Sequence, residues 1–369
     1  GQFARYCNAV CAAVRGTDGG ALSDHVRLDA EHAAAATEEF LAAGGKATLS
    51  TLPPPFDQVV RRRLLAGGAV SAAKWDEAHA HLLEALKAFY EDLKKPDQNW
   101  GLPVLHTLSR DVRLLAEQAD GFLRRQARKP DALQRTEFHL KKGFTICISD
   151  RSLTNPKKIG ALEMANQLFK IYFRLKSLHL CKAIITPVEN PKMSLPLSKF
   201  PIAHQVTYKY FIGRYHLYED KTSVAIDELK FAYSKIPARY TQQRKRILMF
   251  LIPARLQVGV FPRKQLLDEF SIHEYDNFIQ AVRTGNVGLF DKTMASHQRM
   301  FIRTGVYLAM EKVRILVYRS LFRRVYWVQA TNKLPLGSFL SALKLIKAEL
   351  DREELECLLA NLIYEGFIK

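Results

Sequence analysis

Apolar residues recur at spacings of three and four positions along almost the whole chain, and sustained alternation of apolar and polar residues is absent. The first pattern places apolar side chains on one face of a helix, whereas a half-buried strand needs alternation. The sequence therefore predicts an all-α protein. Among the predicted helices are one over 24–43, a long one over 306–329 and two closing ones over 336–347 and 351–364.

Helix pairs of similar length joined by short turns predict an α-solenoid, in which each pair buries its apolar face against its neighbours. Residues 74–78 and 225–232 combine large and small side chains as tetratricopeptide-like hairpins do. A strict 34-residue period, which a regular array would show, is absent. The sequence thus favours a loose solenoid of tetratricopeptide-like helix pairs.

Three parts are predicted along the chain: an N-terminal helical-repeat solenoid over 1–200, a second helical part over 201–330 and a C-terminal winged helix over 331–369. The segment from Pro187 to Pro201 holds four prolines. Because proline lacks a backbone N–H and disrupts helices, this segment is predicted to be an exposed loop without a helix.

The closing part combines a short apolar helix, a second helix and the exit segment 366–369. Asp351 and Glu354 have the spacing of a capping box, in which the side chain of each residue accepts a hydrogen bond from the backbone N–H of the other. Helix, turn, helix and the start of a strand are typical of the beginning of a winged helix. The sequence stops before a wing could form, so we expect a truncated wing.

The 369 residues carry a formal net charge of +18. The basic excess lies between residues 61 and 330, whereas residues 1–60 and 331–369 each hold a small acidic excess. Such a surplus favours association with nucleic acid or with an acidic protein. The most apolar long segment, 306–328, carries six charged residues, which excludes a transmembrane helix.

The sequence offers no recognisable catalytic or metal motif. HExxH, GxxxxGK followed by Ser or Thr, GxGxxG and GxSxG are all absent, so we predict a protein that is not an enzyme and has no cofactor. The five cysteines form no CxxC pair, which is typical of reduced thiols in a cytosolic or nuclear protein. Cys7 and Cys11, with His25 and His32, could be imagined as zinc ligands, but helical packing is the better interpretation of the two cysteines.

Several segments resemble PCI domains, the helical and winged-helix modules of the proteasome lid, the COP9 signalosome, an initiation-factor scaffold and an mRNA-export complex. The general resemblance rests on AVRTGN at 281–286, Phe290, FI at 301–302 and the run from Gly305 to Glu311. Three further segment groups resemble the PCI subunits of the mRNA-export complex called transcription and export complex 2 (TREX): NQLFKIYF at 166–173 with LHLCK at 178–182, VTYKY at 206–210 with Gly213 and Arg214, and LANLIY at 359–364 with Gly366. The resemblance covers residues 98–369.

This resemblance implies a scaffold whose winged helix packs beside that of a larger PCI subunit of the germinal-centre-associated nuclear protein type. It also implies a small, acidic, disordered subunit that clamps the assembly, and a basic platform formed for RNA by the two winged helices. The implied location is the nucleus, at the nuclear pore, with the cytoplasm as a further compartment.

The predicted RNA-binding residues are centred on the long helix. Lys312, Arg319 and Arg323 lie within about 40° of one another around its axis, because separations of seven and eleven residues are close to two and three helical turns. The predicted set is Lys312, Arg319, Arg323, Arg324, Lys333, Lys344, Lys347 and Lys369. Other basic pairs, such as Lys141 and Lys142, could neutralise phosphates or stay solvated.

The last helix is predicted to dock a protein partner. It begins with Asp351, Glu353 and Glu354, which suit a helix N-terminus and repel phosphate, so an independent DNA-reading winged helix is disfavoured. The predicted docking residues, some of which must also fill the module's own core, are Leu355, Leu358, Leu359, Leu362 and Ile363. A scaffold subunit of a proteasome-lid, signalosome or initiation-factor assembly, without direct RNA contact, stays open as an alternative.

Overall fold

The computed structural model describes residues 1–45, 49–152, 154, 156–346, 348 and 350–368. Within these ranges the regular structure consists of α-helices and short 3-10 turns, without a β-strand, which confirms the predicted all-α class. Consecutive helices pack on one another through most of the chain, as a solenoid of helix pairs requires. None of the described helices combines the length and the apolar content that crossing a membrane needs.

The chain forms two compact units, Gly1–Phe211 and Ile212–Lys369. The first unit holds α1 (Gln2–Arg15), α2 (Gly19–Val26), α3 (Ala34–Ala42), α4 (Phe56–Ser71), α5 (Trp75–Leu93), α6 (Leu102–Arg125), α7 (Ala132–Ile148), α8 (Ala161–Leu175) and α9 (Cys181–Glu189). Helix α10 (Ile202–Tyr218) includes the boundary. The second unit holds α11 (Thr222–Lys235), α12 (Thr241–Gln257), α13 (Lys264–Phe270), α14 (Asp276–Thr284), α15 (Val287–Thr304), α16 (Tyr307–Gln329), α17 (Leu336–Leu345) and α18 (Arg352–Tyr364). The three-part division of the chain stays a prediction.

In the first unit, α4 to α8 pack in succession around an apolar core. Helix α6 shows why: Leu105, Leu108, Val112 and Leu115 recur every three or four residues and are buried. This stripe faces the neighbouring helices, and its burial stabilises the fold by about 1.5–3 kcal/mol for each large side chain.

Helices α5 and α7 are joined by polar contacts inside this core. The His79 Nε2 and Thr136 Oγ1 atoms lie 2.8 Å apart and are buried. The Tyr90 hydroxyl donates to the carbonyl oxygen of His139 at 2.9 Å. These contacts fix α7 beside α5 and leave a groove between their outer faces.

In the second unit, α16 is the central helix: α12, α14, α15 and α17 all pack on it. Its Met310, Val313 and Val317 side chains are fully buried. The turn before α15 is fixed by local contacts, because Gly285 ends α14 with φ +66° and the Asn286 side chain accepts from Leu289 N at 2.9 Å. These contacts position the solvent face of α16.

The closing module contains α17 and α18. The predicted capping box is present, since Glu354 N donates to Asp351 Oδ1 at 2.7 Å and Asp351 N donates to Glu354 Oε2 at 3.0 Å. The start of a strand expected at residue 366 is not formed among the described residues. Instead, Phe367 N donates to the Leu362 carbonyl at 2.9 Å, which turns the chain back at the end of α18.

The prediction of one helix over 24–43 was wrong, because α2 ends at Val26 and α3 starts at Ala34. The Leu28 N–H donates to a carboxylate oxygen of Asp111 at 3.0 Å, and Arg27 pairs with Asp29. These partners satisfy the backbone outside a helix, so long-range contacts override the local helical pattern.

The prediction of a helix-free loop from Pro187 to Pro201 was wrong at its start, because α9 continues through Pro187 to Glu189. Proline has a φ that suits a helix, so the helix can continue through Pro187 although this residue has no N–H to donate. The segment is also not uniformly exposed, since Ser194 and Phe200 are buried.

Candidate nucleic-acid interface

The C-terminal half of α16 forms one wall of a groove in the second unit. The groove has a volume of about 770 Å³. We call it the arginine–aromatic groove, and its lining is Arg319, Phe322, Arg323, Tyr326, Trp327, Asn332, Leu334, Phe339, Phe367 and Ile368. These lining residues include two arginines and no acidic side chain, so an anionic ligand would meet only favourable charge there.

Each arginine of the groove lies over an aromatic ring. The Arg323 Cζ atom lies 4.5 Å from the ring centroid of Trp327, one helical turn later, and the Arg319 Cζ atom lies 5.2 Å from that of Phe367. Such contacts contribute about 0.5–1 kcal/mol at exposed sites and hold the guanidinium groups in place. The Trp327 side chain is 60% exposed, which leaves ring surface free for a further flat partner.

The loop after α16 closes one end of the groove. The Tyr326 hydroxyl donates to the Asn332 side-chain oxygen at 3.3 Å, and the Phe339 ring lies 4.8 Å from that of Phe322. The groove is therefore built from α16, this loop, α17 and the exit segment. Its stacking rings, Trp327 and Phe367, were missed at the sequence level, although the spacing of Trp327 four residues after Arg323 is a signal that could have identified the pair.

The other predicted basic residues are placed differently. Lys312 forms an ion pair with Asp220 and lines a separate depression, so the structure does not bring it together with Arg319 and Arg323. Arg324, Lys333 and Lys344 are exposed outside the groove lining. The predicted residues Lys347 and Lys369 lie outside the described residues.

The predicted docking residues of α18 separate into two groups. Leu355 and Leu362 are fully buried and fill the core of the closing module, while Leu358 and Leu359 are half-buried. Ile363 is 54% exposed. Large apolar side chains of the same module that the prediction did not include are also exposed, among them Leu345 and Tyr364.

The imagined zinc ligands do not form a metal centre among the described residues. Cys7 and Cys11 are buried in α1, and burial raises the pKa of the Cys7 thiol to about 11, so it stays protonated at neutral pH. The His25 Nδ1 and His32 Nε2 atoms lie 2.9 Å apart at the surface. Within the described ranges, three or more metal-binding side chains do not converge at any point.

Comparison with known proteins identifies a set of relatives, although no family model matches the chain. It is 35% identical over 277 residues to the PCI domain-containing protein 2 homolog of Drosophila melanogaster, across 74% of this chain and 69% of the relative. It is 34% identical over 289 residues to PCI domain-containing protein 2 of Danio rerio, across 77% of this chain and 71% of the relative. A relative named Protein CSN12 homolog, from Schizosaccharomyces pombe, is 31% identical over 287 residues, which are 73% of this chain and 67% of that protein.

Proposed function

Because the chain belongs to the PCI domain-containing protein 2 family, we propose that it is a non-enzymatic scaffold subunit of a nuclear mRNA-export complex and that it binds RNA without sequence preference. The observation that carries the RNA-binding part is the arginine–aromatic groove. Arg319 and Arg323 are held over aromatic rings with no acidic side chain in the described lining. Guanidinium groups pair with phosphates, and an exposed indole stacks on any base.

The protein-binding part of the proposal rests on the closing module. Ile363 and Tyr364 expose large apolar surface at the end of α18, and Leu345 does so at the end of α17. Several large exposed apolar side chains within one small module favour a protein contact there. We assign this surface to a larger PCI subunit of the germinal-centre-associated nuclear protein type, and the basic body to a small acidic, disordered subunit. The proposed location is the nucleus, at the nuclear pore, with the cytoplasm as a further compartment.

The RNA-binding part is tested with a double variant, Arg319→Gln and Arg323→Gln. Fluorescence anisotropy of a labelled 20-nucleotide oligouridylate, measured over a range of salt concentrations, gives the affinity and its salt dependence. Removing two phosphate contacts should make the negative slope of log K against log salt shallower by about 1.4. Lys292→Gln with Arg299→Gln, two exposed positions of α15, is the matched control. An unchanged slope in the groove variant would contradict the proposal.

The assembly part is tested by recovering the tagged chain from nuclear extract and identifying its partners by mass spectrometry. Recovery of mRNA-export subunits is the expected result. Recovery of proteasome-lid, signalosome or initiation-factor subunits instead would favour the alternative scaffold role. A variant with Ile363→Asp and Tyr364→Ala should lose the larger PCI subunit but keep its fold, since both side chains are exposed.

A further inference from the structure

A second basic groove lies in the first unit, between α5 and α7. Two adjoining depressions of about 570 Å³ and about 820 Å³ share Lys87, Phe138 and His139 in their linings. Along α5 the lining extends from Ala80 to Lys94, which is about 20 Å at the helical rise. We call the two depressions together the α5–α7 groove.

The α5–α7 groove carries an excess of positive charge. Its two lining carboxylates are already paired with lysines three residues later, Glu84 with Lys87 at 2.7 Å and Glu91 with Lys94 at 2.8 Å. An incoming phosphate would therefore meet little uncompensated negative charge. The lining cations are Arg62, Lys87, Lys94, Arg135, Lys141 and Lys142.

Lys141 and Lys142 of α7 and Arg62 of α4 are the cations left for a ligand, because Arg135 of α7 pairs with Asp76 at 3.0 Å and with Asp131 at 3.1 Å. Lys141 and Lys142 are exposed, and within the described residues neither side chain forms an ion pair. Arg62 contacts the neutral ring nitrogen of His81 at 3.3 Å, not a carboxylate. These three side chains give the groove positive charge that the protein itself does not compensate.

An exposed aromatic ring lies among these cations. The Phe138 side chain is 57% exposed, although it is large and apolar, and the Lys142 Nζ atom lies 4.6 Å from its ring centroid. The His139 ring meets it edge-on, with 5.2 Å between centroids. Burial lowers the pKa of His139 to about 4, helped by Lys87 and Lys142, so this ring is neutral at physiological pH.

The distribution of apolar side chains argues against a partner helix as the occupant. A helix laid in a groove needs an uninterrupted apolar floor, whereas charged Glu84 and Lys87 interrupt Leu83 and Tyr90 along α5. An exposed ring flanked by uncompensated cations instead matches the way in which proteins hold single strands.

We propose that the α5–α7 groove is a second contact site for single-stranded RNA, in which Phe138 stacks on a base and Lys141 and Lys142 bind the flanking phosphates. This inference rests on the RNA-binding role proposed above and gives it a second site on a different unit. The occupant is RNA, and an acidic protein segment is the competing outcome.

The test uses the full chain and the labelled oligouridylate at several salt concentrations. Phe138→Ala should weaken binding about tenfold, and Phe138→Tyr, which keeps a stacking ring, should restore it. Lys141→Gln with Lys142→Gln should make the negative slope of log K against log salt shallower by about 1.4. Lys182→Gln with Lys192→Gln, two exposed lysines outside the groove lining, is the matched control and should leave the slope unchanged. Circular dichroism of each variant checks that the fold is kept.

The two RNA sites can fail separately. If the Phe138 and lysine variants bind as the wild type does, while Arg319→Gln with Arg323→Gln weakens binding, the inference is overturned and the proposed function stands. The reverse result would support RNA binding at the α5–α7 groove and overturn RNA binding at the arginine–aromatic groove. A wild-type chain that does not bind the oligouridylate would overturn both.

Discussion

Replacing Gly285 with alanine should destabilise the second unit by about 2–5 kcal/mol. Gly285 has φ +66°, where an L-residue costs about 1–2 kcal/mol. A Cβ atom there would also lie 2.6 Å from the backbone nitrogen and 2.7 Å from the Cα atom of Leu321 in α16. Because the backbone of a packed helix cannot yield as a side-chain end can, we add the about 1–3 kcal/mol typical of overpacking.

The matched control is Gly305→Ala. Gly305 also has a positive φ, +83°, but a Cβ atom there would meet nothing within 4 Å. Urea denaturation followed by circular dichroism should therefore show a loss of about 1–2 kcal/mol for Gly305→Ala and about 1–3 kcal/mol more for Gly285→Ala. Equal losses would refute the close approach of α14 to α16. Since Leu321 lies between Arg319 and Arg323, Gly285→Ala should also weaken oligouridylate binding, whereas Gly305→Ala should not.

Three further predictions follow from burial and stacking. Trp327→Ala should weaken oligouridylate binding about tenfold with little change in the melting temperature, because the ring is exposed and stacks on a base in the proposed RNA site. Leu362→Ala should cost about 2–5 kcal/mol of unfolding free energy, since Leu362 is fully buried, whereas Ile363→Ala should cost less than about 0.5 kcal/mol by the same urea titration. Burial lowers the pKa of His79 and of His106 to about 4, so the stability that each neutral ring provides is complete above pH 6.5 and falls as the pH drops toward 4. At pH 5 each histidine should lower the free energy of unfolding by about 2 kcal/mol. In urea titrations at pH 7 and pH 5, the loss of unfolding free energy between the two pH values should be smaller for His79→Gln than for the wild type.

Local signals in the sequence predicted the parts of the fold that depend on nearby residues. The capping box of Asp351 and Glu354 involves groups three residues apart, so their spacing alone determines it. The long helix α16 was predictable for a similar reason, since its apolar stripe is continuous. Helical periodicity therefore suffices where each hydrogen bond closes within one turn.

Contacts distant in sequence account for what the pattern missed. The break after Val26 depends on Asp111, which lies more than eighty residues away and accepts from Leu28 N. A stripe of leucines also cannot show which face meets the module's own core: Leu355 and Leu362 are buried, while Ile363 is exposed. The stacking of Arg319 on Phe367 joins α16 to the exit segment, and no spacing rule relates these two positions.

The charges of the closing module are consistent with separate surfaces for the two partners proposed for the second unit. The acidic groups of α18 lie at its N-terminus, where Asp351 and Glu354 cap the helix and the helix dipole stabilises them. They would repel RNA phosphates, and Arg352 is occupied by an ion pair with Glu356 at 3.0 Å. In the proposed function RNA therefore binds at α16, whose groove lining is free of acids, and the protein partner binds at the exposed apolar end of α18. If the two surfaces are separate in this way, the Ile363→Asp and Tyr364→Ala variant should lose its protein partner and still bind oligouridylate with wild-type affinity.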